Sequence, residues 1–253
     1  MPERTRYNPG VPCWADIATP DLDAAIGFYG GLFGWEMRPV ERIPGYVIAQ
    51  VGGRPVAGLG RTAASERPWW SSHFAVPDVS VCVAVAEAAG ARVLDGPRRV
   101  PSLGRTAVLR DPAGAAFALW QDGGFPGAGL IDEPGAFCWH ELAVRDVDVV
   151  SGFYQEIFGW EGRTTLFADD SVYTEFMLGG EVVAGMVQMN DEWPPEIPAH
   201  WMVYFAVADC DASAALVEEL GGVVSIPPFD GQSGRIAVAD DPQGAVFSII
   251  QLT

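Results

Sequence analysis

Apolar and polar positions change period once within the first forty residues. Residues 13–18 alternate, with Cys13, Ala15 and Ile17 in one set and Trp14, Asp16 and Ala18 in the other, the period of a strand with two unlike faces. From residue 22 the apolar positions fall at Leu22, Ile26, Tyr29 and Phe33, one face of a helix that Gly34 stops. Thr19-Pro20 predicts its start, as an N-cap followed by proline at the first helical position. Three short strands are predicted near 35–41, 46–51 and 56–61, joined by Pro44-Gly45 and Gly52-Gly53 turns. The same order then recurs: a strand over 72–76, a helix over 79–89 ended by Gly90, and strands near 92–100, 105–110 and 115–121. Each stretch is a βαβββ module.

The whole pattern starts again at residue 138. Residues 13–36 align without a gap on 138–161, an offset of 125, with 12 of 24 positions identical. Tyr46 to Gly53 aligns on Tyr173 to Gly180, Val56-Ala57-Gly58 on Val183-Ala184-Gly185, Phe74-Ala75-Val76 on Phe205-Ala206-Val207, and DPAGAAFALWQ (111–121) on DPQGAVFSIIQ (241–251). A repeat of this length is a duplicated domain rather than a solenoid unit. The expected organisation is therefore a first domain over 1–121, a linker over 122–136 and a second domain over 137–253, four βαβββ modules in all. The Gly- and Pro-rich linker, DGGFPGAGLIDEPGA, is expected to be the exposed segment.

Composition narrows the functional classes. The chain is 49% hydrophobic and 11% aromatic, enough for a core in each half. No run of about 18 to 20 apolar residues is present, and the first ten residues lack the apolar stretch of a signal peptide, so a cytoplasmic protein without a membrane partner is expected. A net charge of −18 repels phosphate backbones and argues against nucleic acid. All 15 basic residues are Arg, which excludes lysine chemistry. Cys13, Cys82, Cys138 and Cys210 have neither CxxC nor zinc spacing and read as buried reduced thiols. The sequence has no phosphate loop, no Rossmann fingerprint after a strand and no G-x-S-x-G elbow, so no nucleotide cofactor is expected.

The FYxxxFGWE helix exit, the W-x-[DE]-[IL] first strand and the DPxGAxF closing strand resemble the glyoxalase / bleomycin-resistance / extradiol-dioxygenase superfamily, also called vicinal oxygen chelate. The tandem WADI and WHEL strands, HWMVYFAVAD and the GxxGRxAxxxDPxGA ending are similar to acidic two-domain actinobacterial proteins often called hydroxylase-like or glyoxalase-like antigens. The resemblance implies an α+β fold of tandem vicinal-oxygen-chelate domains, with cup-shaped mixed sheets, helices on the convex face and a small-molecule ligand on the concave one. It does not single out a function, because the superfamily includes metal-dependent lyases, isomerases and dioxygenases as well as metal-free drug-sequestering proteins.

Alternation then assigns faces. The apolar set of the first strand belongs under the helix, which turns Trp14 with Asp16, and Trp139 with Glu141, toward the cup. By the resemblance, metal-dependent members place His or Gln in the first strand, Glu in a middle strand, His in the strand opening the second module and Glu in the closing strand. Here the first slot holds Trp14 and Trp139, and the closing slot Ala118 and Ser248. The third falls near Ser71 and Met202, with His73 two residues along the same face; the middle slot has Ile48 in copy one and Glu175 in copy two. No metal is expected. The alternative is one divalent ion on His73, Glu141 and Glu175. His140 falls on the helix side and reads as a packed or surface histidine, and His200 has no assigned role. Trp69, Trp70 and Trp193 are predicted in Pro-flanked loops and, with Trp120, offer indole faces to a flat ligand.

Two functions follow for a monomer or homodimer. One is binding or sequestration of a small, largely apolar or aromatic metabolite of natural-product or drug-like type. The other is acid/base isomerisation, ring-opening or hydration by Asp16, Glu141 or His73, with Trp14, Trp139, Trp69, Trp70, Trp120, Glu175, Trp193, Met202 and Ser248 contacting the ligand. A divalent-metal lyase or dioxygenase is the third possibility.

Overall fold

The computed structural model describes residues 4–63, 67–166 and 172–253 and contains the four modules. The first is β1 (Pro12–Thr19), α1 (Leu22–Phe33), β2 (Glu36–Pro39), β3 (Tyr46–Val51) and β4 (Arg54–Arg61). The second is β5 (Trp69–Ala75), α2 (Val79–Ala88), β6 (Arg92–Val100), β7 (Gly104–Arg110) and β8 (Ala116–Asp122). The third is β9 (Phe137–Val144), α3 (Val147–Phe158), β10 (Glu161–Leu166), β11 (Val172–Leu178) and β12 (Glu181–Gln188). The fourth is β13 (His200–Ala206), α4 (Cys210–Glu219), β14 (Val223–Gly231), β15 (Gly234–Asp240) and β16 (Val246–Leu252). Modules one and two make one eight-stranded mixed sheet, β2-β3-β4-β1-β5-β8-β7-β6, and modules three and four make its counterpart, β10-β11-β12-β9-β13-β16-β15-β14. The fold is the α+β tandem that the motifs imply. No helix among the described residues is long and apolar enough to cross a membrane.

Two local expectations change. Asp21, not Thr19, caps α1 by accepting from the Ala24 amide, because Thr19 still belongs to β1 and its hydroxyl turns to Gln243 of the other half. Strand β5 begins at Trp69, three residues early, so Trp69 and Trp70 are strand residues with opposite directions rather than loop aromatics.

The helix sides of the two sheets face each other, and each core is shared. One core joins Ile17, Phe28, Tyr29 and Trp35 of module one to Phe205, Val217 and Phe247 of module four; the other joins Phe74, Val83 and Phe117 of module two to Phe153, Tyr154 and Trp160 of module three. Two buried relays cross the boundary. Trp70 Nε1 donates to Tyr29 Oη at 3.0 Å, which donates to Asp241 at 3.1 Å; Trp201 Nε1 donates to Tyr154 Oη at 2.9 Å, which donates to Asp111 at 2.8 Å. The repeated FGW and DPxG motifs thus fasten one half to the other. Trp35 and Trp160 continue this by donating to the Gly135 and Gly10 carbonyls at 2.6 and 2.9 Å.

The linker is not the exposed segment expected from its composition. Ala128 and Leu130 are buried, and the Ala128 amide donates to the Cys13 carbonyl. Gly127 runs at φ +126 with its Cα so close to that carbonyl that a Cβ would lie 2.2 Å from the oxygen. Glycine is what lets the connection lie down against β1.

Candidate functional site

Each sheet turns its other face, away from the helices, into a cup. Fully buried Cys13 and Ala15 lie on the core side of β1, so Trp14 and Asp16 face the first cup, and register across β1 and β5 sets His73 opposite Trp14 and Ser71 opposite Asp16. Their side chains form a network. His73 Nε2 lies 2.9 Å from Asp16 Oδ1, Tyr46 Oη donates to Asp16 Oδ2 at 3.0 Å, and Trp14 Nε1 donates to Tyr46 Oη at 3.1 Å. A carboxylate only accepts, so Nε2 of His73 is the donor in this bond, and in the neutral ring Nδ1 is then an acceptor. His73 is 7% exposed, and Nδ1 and the Ser71 hydroxyl are buried with no hydrogen-bond partner among the described residues.

Tyr46 reaches Asp16 over Gly58. A Cβ at Gly58 would lie 2.0 Å from the tyrosine oxygen, and Gly185 stands in the same relation to Tyr173. The repeated Val-Ala-Gly motif therefore clears the path of a phenol to the cup's carboxylate.

In the second cup Trp139 Nε1 donates to Tyr173 Oη at 3.1 Å, and Glu141 takes hydrogen bonds from Tyr173 and, at 2.7 Å, from Tyr204. Tyr204 holds the position of His73 in the repeat, and the longer Glu141 reaches it. Burial pushes the Glu141 carboxyl up, against both phenolic hydrogen bonds, while burial first and then Glu141 push both phenols up. Tyr46 is raised likewise, by burial and then Asp16.

The other predicted residues divide. Met202 pairs with Glu141 across β13 and β9, and buried Ser248 pairs with Tyr204, so both line the second cup. Glu175 faces the same cup and is held by Arg163 at 2.7 Å. Trp193 leans over His200 at the lip, with ring centroids 6.5 Å apart. Trp69 shares the open face with Ser71 and His73. Trp120 faces the first cup but is covered edge-on by Phe125 of the linker, whose ring also meets Trp14 at 4.9 Å. Trp70 is a correction: it is 4% exposed on the core side, held by Tyr29, and lines no cup. His140, on the helix side as expected, is buried with Nδ1 2.8 Å from Ser72 Oγ of the other half. Tyr46, Tyr173, Tyr204 and Phe125 are site residues that periodicity did not single out; recurrence of Tyr46 at Tyr173, beside a recurring glycine, was the available signal.

The donor set does not fit a divalent cation. His73, Glu141 and Glu175 are split between the two sheets, and Asp16 and His73 are bonded to each other beside Trp14 and Ala118, which cannot ligate. Among the described residues no three His, Cys, Asp or Glu side chains converge, whereas zinc and iron sites take at least three protein ligands.

Residues 14–120 match the glyoxalase-like domain, and residues 137–249 match the glyoxalase/bleomycin resistance protein/dioxygenase superfamily. The chain is 37% identical to CFP32 of Mycobacterium tuberculosis, a candidate glyoxylase, over 99% of its own length and 98% of that protein. It is 36% identical to the anthracycline biosynthesis protein DnrV of Streptomyces peucetius, over 98% of this chain and 95% of the relative. Among solved structures, the Mn(II)-bound glyoxalase from Novosphingobium aromaticivorans superposes with a TM-score of 0.68 at 16% identity, covering 96% of this chain and 82% of that one. The 2,3-dioxygenase LapB from Pseudomonas sp. KL28 gives 0.65 at 15% identity, covering 99% and 93%.

Proposed function

The chain belongs to the glyoxalase/bleomycin resistance/dioxygenase superfamily, and on that premise we propose that it binds a planar, largely apolar metabolite in its cups and moves a proton on it with the His73–Asp16 pair. The observation that carries this is His73 itself. Its Nε2 is fixed on a carboxylate while Nδ1 is buried without a partner among the described residues, and a buried polar atom left unpaired costs about 1–3 kcal/mol unless a ligand satisfies it. In the proposed step Nδ1 takes a proton from a carbon next to a ligand carbonyl, and the C–H electron pair moves into that carbonyl system. The imidazolium is stabilised by Asp16 and exchanges its proton with solvent, and a proton is returned at the same or another atom, giving exchange or an isomer with no change of redox state.

The relative named for anthracycline biosynthesis supports a polycyclic aromatic ligand, as do the half-buried indoles of Trp69, Trp139 and Trp193. The second cup favours binding alone. Tyr204 replaces the imidazole there, and a phenol raised above its usual range is no base near neutral pH.

The test uses 2-tetralone, a bicyclic ketone with an acidic C–H, in heavy water. Catalysed deuteration over many turnovers is expected, slowed about 10²–10⁴-fold in His73→Gln, with tryptophan quenching by the ketone kept. Protection of one equivalent per cup, with exchange at the buffer rate, would instead establish sequestration.

A further inference from the structure

We propose that the first cup grips an oxyanion on its ligand, a carboxylate or a phosphate ester, with Arg92 and Arg110. This rests on the reading that the cup holds a small molecule and adds which end of it is recognised.

The register makes the case. Arg92 pairs with Arg110 across β6 and β7. Buried Ala107 and Leu109 point into the core, so Thr106, Val108 and Arg110 point into the cup; Val93 packs on the core, so Arg92 shares the face of Arg110. Two like charges directly opposite on neighbouring strands repel each other. The carboxylates of the same wall do not relieve them, because Asp95 is bonded by Arg98 at 2.6 Å and Asp122 stands at the far end of β8, opposite Gly104, whereas Arg110 is opposite Ala116.

The floor beside the pair is cleared and polar. Arg110 pairs with Ala116, which precedes Ala118, the partner of His73, by two residues; Ser71 precedes His73 by two and faces Asp16. The row from Arg110 to Asp16 thus passes over an alanine and a serine whose hydroxyl has no partner among the described residues. Strands about 4.8 Å apart set Arg110 roughly 14 Å from Asp16 along the sheet. With the guanidinium groups reaching inward, a fused-ring acid spans from them to Nδ1 of His73.

The second cup lacks this device. Its equivalent pair is Val223 opposite Asp240, and Ile226, Phe229 and Val246 continue the wall as exposed apolar residues. Charge is divided the same way: residues 1–121 hold 12 arginines and 11 acids, net +1, whereas residues 122–253 hold 3 and 22, net −19. An anion is repelled by the second half and admitted by the first.

The experiment titrates the full chain with 2-naphthoate, 2-naphthyl phosphate and uncharged 2-naphthamide, by calorimetry and tryptophan quenching. At least one acid should bind about tenfold tighter than the amide, and the better acid names the group. Arg92→Gln/Arg110→Gln should abolish that preference with amide affinity and melting temperature unchanged. Arg99→Gln, which removes a charge from the opposite face of β6, should keep it. Equal binding of acids and amide, or a preference that survives the double variant or is lost in Arg99→Gln, overturns the arginine assignment and leaves the cup reading standing. Failure of all three probes to bind overturns both.

Discussion

His140 breaks the equivalence of the two copies at their contact. Its counterpart in the repeat is Ala15, so the His140–Ser72 bond has no equivalent at the matching position of the other copy, and Nε2 is buried with no partner among the described residues. Burial, and then the nearby His73, pushes the imidazole down to about 3 from 6.5. The unfolded chain therefore binds this proton from about pH 6.5 downward while the folded chain does not. The stabilisation from neutral burial is complete above 6.5 and is lost, at about 1.4 kcal/mol per unit, as pH falls toward 3. Glu141, raised by burial, acts in the opposite direction and is common to wild type and variant. Urea unfolding of wild type and His140→Ala at pH 7, 5.5 and 4 should show the wild-type advantage shrinking and then reversing; a constant difference would mean that His140 is not held neutral. At this scale the sequence revealed directions better than partners. Alternation placed Asp16 and Glu141 on the open face, but the phenols that hold them come from β3, β11 and β13, and no local pattern announces a bond that passes over Gly58 or Gly185.

At the scale of elements, the periodicity that predicts each helix also predicts its buried stripe, yet not what the stripe touches. Tyr29 falls on the apolar stripe of its own helix, whereas it and its repeat equivalent Tyr154 each donate to the DPxG aspartate of the other half and accept from a tryptophan of their own. Trp70 is the same case: tryptophans after a proline resemble a loop, but the strand starts at Trp69 and turns Trp70 inward to Tyr29. Tyr29→Phe keeps the ring contacts and removes one oxygen, leaving Trp70 Nε1 without its acceptor and Asp241 without one donor. A loss of about 1–3 kcal/mol is expected, the cost of buried polar groups left unmade. Tyr154→Phe should cost a similar amount through Trp201 and Asp111. Because the relays lie in different cores, the double variant should add to within about 0.5 kcal/mol. Chemical denaturation of the three variants checks this, and strong coupling would show that the two cores melt as one packed unit.

For the whole molecule, duplication and composition predict two compact domains, each with enough apolar residues for its own core, but the cores are built crosswise from modules one and four and modules two and three. Each half keeps its eight-stranded sheet and all hydrogen bonds within it, while the apolar face of that sheet is completed by the partner half. Ring pairs such as Phe33 with Phe205 at 5.1 Å and Phe74 with Phe158 at 5.1 Å would both be opened by separation. An exposed apolar face of that extent drives association, and the pseudo-symmetry supplies a partner, since two copies of one half present similar surfaces to each other. Produced alone, residues 1–136 should therefore elute as a dimer or collapse without fixed tertiary packing, and mixing with residues 137–253 should restore the heterodimer. Size-exclusion chromatography with near-ultraviolet circular dichroism distinguishes these outcomes. A half that stays monomeric with native-like near-ultraviolet signal would show that the shared cores are dispensable, and the buried 127–130 segment would then be only a tether.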